Sequence, residues 1–241
     1  MSISSTTRGI VNSGVSVIPA ANEPLPLPGW FMKFPGITSV VERLGVTEFR
    51  RRLFHMTPAL LPVGLPWIPH ADVWGTPLML VVAGCTGAAI VFARIFRPFV
   101  VRAGERNWMN AVLGYVTPIL AAILLFPGRG ELGLMTLQIL AMGDGAATFG
   151  GLLLKGPHLP WNRRKTFSGF FCFIVAGTSA ATYSYWGEAR PALPLSEVFF
   201  ICSIAAICAA LVESMPLRSN DNLRVGFTAL IAGAVLSSFF Q

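Results

Sequence analysis

The sequence predicts an all-α, polytopic integral membrane protein with about seven transmembrane helices. Three observations lead to this: 54% of the residues are hydrophobic, only 12% are charged, and the mean hydropathy is +0.64. A soluble domain carries about 25% charged residues, so this chain has about half the charge that a soluble surface needs. Its 241 residues accommodate about seven spans of ~20 residues with short loops. No length remains for a separate soluble domain.

The N-terminal region precedes the apolar segments. Residues 1–36 are expected to form a flexible tail, since Pro24, Pro26 and Pro28 punctuate it. Residues 37–241 are predicted to be one membrane-embedded domain. Within it, residues 37–49 carry an apolar stripe at helical spacing. This stripe indicates a helix that lies either in the membrane interface or against the helix bundle, and the sequence leaves both open.

The seven candidate spans are apolar segments separated by short polar loops. The first carries four prolines, so its helix is expected to be kinked or broken. Tryptophans lie at several span ends, where their amphipathic rings favour the headgroup region. The predicted spans are residues 53–69, 74–96, 108–126, 132–154, 167–186, 193–212 and 225–240.

The positive charges predict the orientation. The net charge of +7 is compatible with a nucleic-acid partner, but 16 of the 18 lysines and arginines lie on one predicted side of the membrane. They precede span 1 or occupy the loops between spans 2 and 3, 4 and 5, and 6 and 7. Because positive loops stay in the cytoplasm, the N-terminus and these loops are predicted to be cytoplasmic. We therefore expect a membrane partner and no nucleic acid.

One carboxylate lies inside the fourth span. Asp144 is 12 residues past the start of this span, which at ~1.5 Å per residue places it within the membrane. Ionisable groups at such depth are costly and usually functional. Gly143 and Gly145 would let the helix unwind beside it. The alternative is a carboxylate that only makes a structural hydrogen bond.

A basic loop follows this carboxylate. Asp144 would supply a hard oxygen ligand for Mg²⁺, and the cations would neutralise a polyphosphate. Ser168 begins the fifth span, where backbone N–H groups favour an anion, although a serine there is more often a plain helix cap. The alternative for the cations is that they only orient the protein. The cations of this loop are Lys155, Arg163, Arg164 and Lys165.

Further polar residues are predicted to face the same side. Glu213 ends the sixth span, and Asp221 and Asn222 follow it. These carboxylates would complete a metal site or act as a base. The alternative is a solvated connecting turn, which Asn and Asp favour. His55, which follows an arginine cluster, is another candidate, although a lone histidine is more often structural.

Several of these runs resemble one protein family. The resemblance extends from residue 48 to about residue 230, with the motifs in the same order. The runs are Glu48-Phe-Arg-Arg-Arg-Leu-Phe-His55, Gly143-Asp-Gly-Ala-Ala147, Leu159-Pro-Trp-Asn-Arg-Arg-Lys-Thr-Phe-Ser-Gly169, Glu213-Ser-Met-Pro216 and Asp221-Asn-Leu-Arg-Val225. They resemble the dolichol kinase and phytol kinase family, which also includes a CTP-dependent diacylglycerol kinase.

This resemblance implies phosphoryl transfer from CTP to the hydroxyl of a membrane lipid at the cytoplasmic face. The lipid would be an isoprenoid alcohol, such as phytol or dolichol, or diacylglycerol. Asp144 would hold Mg²⁺, directly or through water, and Glu213 and Asp221 would supply a second metal contact or assist at the acceptor hydroxyl. Arg52 and His55 match the family's entry motif. The nucleotide would contact Lys155, Arg163, Arg164, Lys165, Ser168 and Asn222.

Two other functions stay open at this stage. Phosphatidate cytidylyltransferases resemble this family distantly, but their Asp-rich C-terminal motif is absent from the sequence. A transporter would use Asp144 as an ion site, but paired inverted halves are not evident. The sequence also departs from the family pattern in three places. The run Gly151-Leu-Leu-Leu-Lys155-Gly156 has fewer cations, Asn220 replaces an aspartate and Gly226 replaces a proline.

Overall fold

The computed structural model describes residues 27–29, 33–64, 108–217 and 219–240, together with single positions between 84 and 97. Most of the predicted tail and most of the predicted span at 74–96 lie outside these residues. The described part is helical except for one small hairpin, which confirms the predicted all-α membrane architecture. The division into a tail and one membrane domain stays a prediction.

Nine α-helices are described. Their bounds are α1 (Pro35–Leu44), α2 (Val46–Met56), α3 (Leu61–Gly64), α4 (Trp108–Leu125), α5 (Gly130–Gln138), α6 (Asp144–Leu154), α7 (Phe167–Glu188), α8 (Leu195–Ser214) and α9 (Asp221–Ser237). A 3₁₀ turn, Thr57–Leu60, joins α2 to α3, and a π-helical turn, Ile139–Gly143, joins α5 to α6. Strands β1 (His158–Leu159) and β2 (Asn162–Thr166) pair antiparallel.

Four helical segments of the described chain are long and apolar enough to cross a membrane: Trp108–Leu125, Gly130–Leu154, Phe167–Glu188 and Leu195–Ser214. They correspond to the predicted spans 3 to 6. Helix α9 covers most of the predicted seventh span, with 17 residues. The total of seven spans stays a prediction.

The region before these spans consists of short helical pieces. Gly45, with a φ of 78°, separates α1 from α2, because a positive φ is available to glycine at low cost. The predicted first span, 53–69, is broken as its prolines indicate: α2 passes into a 3₁₀ turn with Pro58 in its first positions, and α3 follows. The 37–49 segment is thus two helices rather than one.

The apolar stripe of this region packs on the bundle. Val40, Val41 and Phe49 are buried, and Phe149 and Leu152 of α6 pack against them. The stripe therefore covers α6, which decides between the two arrangements that the sequence left open. Its burial against α6 places α2 beside the predicted site.

Helix α7 is the centre of the described bundle, because it contacts α5, α6, α8 and the π-helical turn. It buries Phe173, Ala181 and Tyr185 completely. Helix α8 approaches it closely where Ala206 meets Gly177, since a Cβ at Gly177 would lie 3.7 Å from Cβ of Ala206. Helix α8 also buries Ala205, Ala209 and Ala210 completely.

The helix ends gather at two opposite ends of the bundle. At one end, Asn162 of β2 donates a hydrogen bond from Nδ2 to the carbonyl of Ser214, 2.9 Å away, which joins the hairpin to the end of α8. At the other end, Arg129 before α5 donates from Nη2 to Oγ of Ser237, the last residue of α9 (2.6 Å). The hairpin end collects the residues predicted to be functional.

Candidate active site

An arginine from α2 meets the predicted catalytic carboxylate. Nη1 of Arg52 donates a hydrogen bond to Oδ2 of Asp144, and Nε2 of His55 lies 3.5 Å from the same oxygen. Arg52 and His55 are three residues apart, so they occupy neighbouring turns on one face of α2. All three side chains are largely buried. The structure thus brings together two residues of the N-terminal motif and Asp144.

Glu48 holds the arginines of α2 in place. Its Oε1 lies 2.8 Å from Nη2 of Arg51 and 3.3 Å from Nε of Arg52, the contacts expected at i+3 and i+4 in a helix. Burial lowers the pKa of the Arg52 guanidinium, but the carboxylates of Asp144 and Glu48 outweigh this effect and raise the pKa above its ordinary value. Arg52 is therefore a permanent cation. The spacing of Glu48 to the arginines is a signal that sequence reasoning did not use.

The backbone before Asp144 widens into the π-helical turn. The predicted unwinding at Gly143 and Gly145 does not occur, since Asp144 begins a regular helix. The carbonyl of Leu140, within the turn, accepts a hydrogen bond from His55 Nε2 at 3.2 Å. π-helical turns occur often at functional sites. Here the turn offers a backbone acceptor to the histidine.

The two glycines permit close packing instead of unwinding. A Cβ at Gly145 would lie 2.3 Å from Sδ of Met56, and one at Gly143 would lie 2.8 Å from the ring of Phe173. A larger residue at either position would require the Phe173 ring or the flexible side chain of Met56 to move. The glycines therefore position Asp144 by allowing its neighbours to approach.

Tyr115 of α4 closes the other side of His55. Its hydroxyl donates to the carbonyl of His55 at 3.3 Å, and the two rings meet edge to face with centroids 4.7 Å apart. The contact fixes the histidine ring between α4 and the π-helical turn. Sequence reasoning did not single out Tyr115, because a tyrosine in an apolar span has no distinguishing spacing.

The predicted basic loop forms the β1–β2 hairpin. Nζ of Lys165 donates to both the carbonyl and Oε1 of Glu213, near the end of α8. Among the cations of this loop, Lys165 is the one that reaches a predicted catalytic carboxylate in the described chain. Lys165 lies in β2, with Thr166 between it and α7.

The two ion pairs form one charge cluster. The charge of Lys165 acts on Asp144, and the charges of Asp144 and Glu213 act on each other. Glu213 also acts on Arg52. All four side chains, contributed by α2, α6, β2 and α8, are largely buried.

The remaining cations of the loop stay at the surface. Lys155 ends α6 with a φ of 54° and is exposed, as are Arg163 and Arg164. Within the described chain none of the three forms an ion pair. Their predicted role with nucleotide stays a prediction.

Ser168 lies in the first turn of α7, but Thr166 caps the helix. Thr166 Oγ1 accepts from the backbone N–H of Gly169 at 3.2 Å, and Ser168 Oγ lies 3.0 Å from Thr166 Oγ1. Gly156 packs close by, since a Cβ there would lie 3.5 Å from Ser168 Oγ. The serine is therefore at the helix N-terminus as predicted, without being its cap.

Asp221 and Asn222, which follow α8, contact residues of α9 and α4. Asp221 is 60% exposed and pairs with Arg224, although its charge acts on Glu213. Asn222 donates from Nδ2 to the carbonyl of Ala111 in α4, 3.1 Å away. The predicted nucleotide role of Asn222 stays a prediction.

The donor set is suited to a magnesium ion that also binds phosphate. Groups of three or more potential ligand residues do not occur among the described residues. Mg²⁺, however, is usually held by one or two carboxylates, with water and substrate phosphates completing its shell. In the described chain, Asp144 forms its ion pairs through Oδ2, and Glu213 forms its ion pair through Oε1. Each carboxylate therefore has a second oxygen that could bind a metal ion. The residues therefore fit such an ion.

Comparison with curated proteins finds phytol and farnesol kinases. The chain is 30% identical over 139 residues to the chloroplastic farnesol kinase of Arabidopsis thaliana, covering 55% of this chain and 44% of that protein. It is 27% identical over 138 residues to probable phytol kinase 3 of Glycine max, covering 54% of this chain and 42% of that protein. Over 145 residues it is 27% identical to a probable phytol kinase of Zea mays, covering 58% and 48%.

The chain thus spans less than half the length of the curated relatives it matches. No family model and no solved structure matches it. The predicted resemblance to the phytol kinase family is confirmed over about half of this chain, by relatives that are named phytol and farnesol kinases.

Proposed function

We propose that this protein is a lipid-alcohol kinase that transfers the γ-phosphoryl group of CTP to the hydroxyl of a membrane lipid at the cytoplasmic face. The observation that carries this proposal is the cluster of Arg52, Asp144, Lys165 and Glu213, contributed by four separate elements. Relatives named phytol and farnesol kinases support an isoprenoid alcohol as the acceptor. Diacylglycerol is the second acceptor to test.

The cluster suits phosphoryl transfer because this reaction needs positioning and charge neutralisation more than covalent chemistry. In the step, the lipid oxygen bonds to the γ-phosphorus while the bond from this phosphorus to the β–γ bridging oxygen breaks, and CDP leaves. Arg52 and Lys165 would contact phosphate oxygens through charge-assisted hydrogen bonds. We assign the hydroxyl proton to Asp221, which lies exposed at the start of α9 and pairs with Arg224.

Asp144 and Glu213 would hold Mg²⁺ through carboxylate oxygens. When bound, such an ion neutralises charge on the β- and γ-phosphates. The chain's own part is to hold each carboxylate beside a cation, Asp144 beside Arg52 and Glu213 beside Lys165. The acceptor would enter sideways between helices, with its tail in the bilayer and its hydroxyl at the interface.

The test uses the purified full-length protein with γ-labelled CTP and a panel of phytol, farnesol, dolichol and diacylglycerol. Label should move into the lipid phase with at least one acceptor, and γ-labelled ATP in parallel tests the donor. Asp144→Asn is the negative control. No transfer from either nucleotide to any acceptor would refute the kinase.

A parallel assay uses α-labelled CTP with phosphatidic acid, which is the cytidylyltransferase reaction. We expect no label in the lipid. Label entering lipid only in this assay would replace the kinase with a cytidylyltransferase.

A further inference from the structure

Trp161, at the tip of the hairpin, is a half-exposed aromatic side chain whose polar edge is already satisfied. Its Nε1–H donates to Oγ of Ser214 at 2.9 Å, yet 47% of the residue is exposed. The ring of Phe167 meets it at an interplanar angle of 75°, with centroids 6.4 Å apart. The exposed part of Trp161 is therefore indole surface that needs no hydrogen-bond partner.

The hairpin presents this ring rigidly. Ser214 is buried; its carbonyl accepts from Asn162, and its own hydroxyl donates to the carbonyl of Leu211 at 2.7 Å. Trp161 contacts Ser214, and Lys165 contacts the preceding residue, Glu213. Both ends of the second strand are therefore fastened to the last two residues of α8.

Two cations of β2 lie beyond the Trp161 ring along the chain, and one of them belongs to the charge cluster. Arg163 and Lys165 are two residues apart in β2, so they share one face of the strand. From Trp161 to Lys165 the backbone covers about 13 Å in extended conformation. The indole and Nζ lie closer together than this, because they contact neighbouring residues of α8. A nucleoside triphosphate is long enough to reach from one group to the other.

We propose that Trp161 is the platform on which the base of the donor nucleotide stacks, with its triphosphate lying along Arg163 and Lys165 toward Asp144 and Glu213. The proposal rests on the proposed kinase function and adds the base-binding residue. Aromatic side chains bind bases through their π-face, and a flanking arginine adds to the attraction. The competing role for an exposed tryptophan at a bundle end is anchoring in the membrane interface.

The test measures equilibrium binding of CTP and of inorganic triphosphate to the detergent-solubilised protein. Inorganic triphosphate carries the phosphates without a base. Trp161→Leu should weaken CTP binding by about ten-fold and leave triphosphate binding unchanged. Trp161→Phe should keep most of the CTP affinity because it retains an aromatic face. The matched control is Trp186→Leu, which removes a tryptophan of similar exposure, 51%, near the opposite end of α7.

The outcomes separate this proposal from the function it rests on. Ser214→Ala removes the hydroxyl that holds the indole and should affect CTP binding less than Trp161→Leu. If both variants weaken CTP and triphosphate equally, Trp161 only fastens the hairpin and the proposal is wrong. Unchanged CTP binding in Trp161→Leu, with normal lipid phosphorylation, refutes the platform and leaves the kinase intact. A wild-type protein that binds no nucleotide refutes both.

Discussion

Arg52 and Asp144, 92 positions apart in the chain, are joined by a hydrogen bond from Nη1 to Oδ2, and Glu48 holds the same guanidinium from its other side. This relationship makes the N-terminal helices part of the site rather than an addition to the bundle. It also means that the charge of Asp144 is matched before any ligand binds.

Asp144→Asn should abolish lipid phosphorylation while leaving membrane insertion intact. Asparagine is nearly isosteric, but it lacks the charge that a magnesium ion and Arg52 both require. The assay is label transfer from CTP in purified protein, with the yield from the membrane fraction as the measure of insertion. Near-normal activity in this variant would make Asp144 a structural residue and move the metal site to Glu213 and Asp221.

Removing Arg52 alone should be more harmful to stability than removing both partners. In Arg52→Met the carboxylate of Asp144 loses its main counter-charge in a largely buried site, whereas the double variant Arg52→Met/Asp144→Asn leaves no such charge. Thermal unfolding in detergent should show a coupling of about 0.5–3 kcal/mol between the two positions. Additive effects would mean that the pair contributes little to the fold.

Lys165→Ala should raise the nucleotide concentration needed for half-maximal activity by about ten-fold. A charge-assisted hydrogen bond of about 1.5–3 kcal/mol would be lost. Arg190→Ala, which removes an exposed cation after α7 at the other end of the bundle, is the matched control. If Lys165→Ala and wild type need the same nucleotide concentration, the cations of the loop only orient the protein in the membrane.

Gly169→Ala should destabilise the protein, whereas Gly177→Ala should be tolerated. Both glycines lie in α7, Gly169 in its first turn and Gly177 in its interior, where an alanine gains about 1 kcal/mol of helix propensity. A Cβ at Gly169 would lie 2.7 Å from the backbone oxygen of Ala147, but the nearest atom to one at Gly177 is Ala206 Cβ at 3.7 Å. Thermal unfolding in detergent compares the two. Equal midpoints would show that α6 and α7 separate easily.

The hairpin should face the cytoplasm and the loop after α7 the opposite side, as the distribution of positive charge predicts. Single cysteines at Arg163 and Arg190, in a cysteine-free background, report this through a membrane-impermeant thiol reagent. In intact cells only Arg190→Cys should react. If Arg163→Cys reacts instead, the hairpin faces the outside and the predicted orientation is wrong.

The sequence was sufficient to predict the helical membrane architecture. Predicted spans such as 167–186 lie within one or two residues of the observed α7, Phe167–Glu188, because an apolar helix must be about as long as the bilayer is thick. The break at Gly45 was not predicted. Packing of Val40 and Phe49 on α6 also depends on tertiary contacts that an apolar stripe does not specify.

The four charged residues of the cluster were singled out from the sequence, but their pairing was not, and their role as a site stays a prediction. Asp144 stood out because a carboxylate in an apolar span is costly, and Lys165 because it closely precedes a helix. The partner of Asp144 is Arg52, which local spacing does not reveal, since the two are far apart in the chain. Tyr115 was missed because a tyrosine in an apolar span has no distinguishing spacing. Contacts between distant segments arise only when the bundle closes.

The π-helical turn adds one residue to a span without turning its two halves apart. Such a turn holds one residue more than a regular helix would and accommodates it by widening. Deleting Ala141 should therefore let the turn close into regular helix, with α6 keeping its orientation and Asp144 keeping Arg52 as its partner. The deletion would instead change the widened backbone at Leu140, whose carbonyl accepts a hydrogen bond from His55.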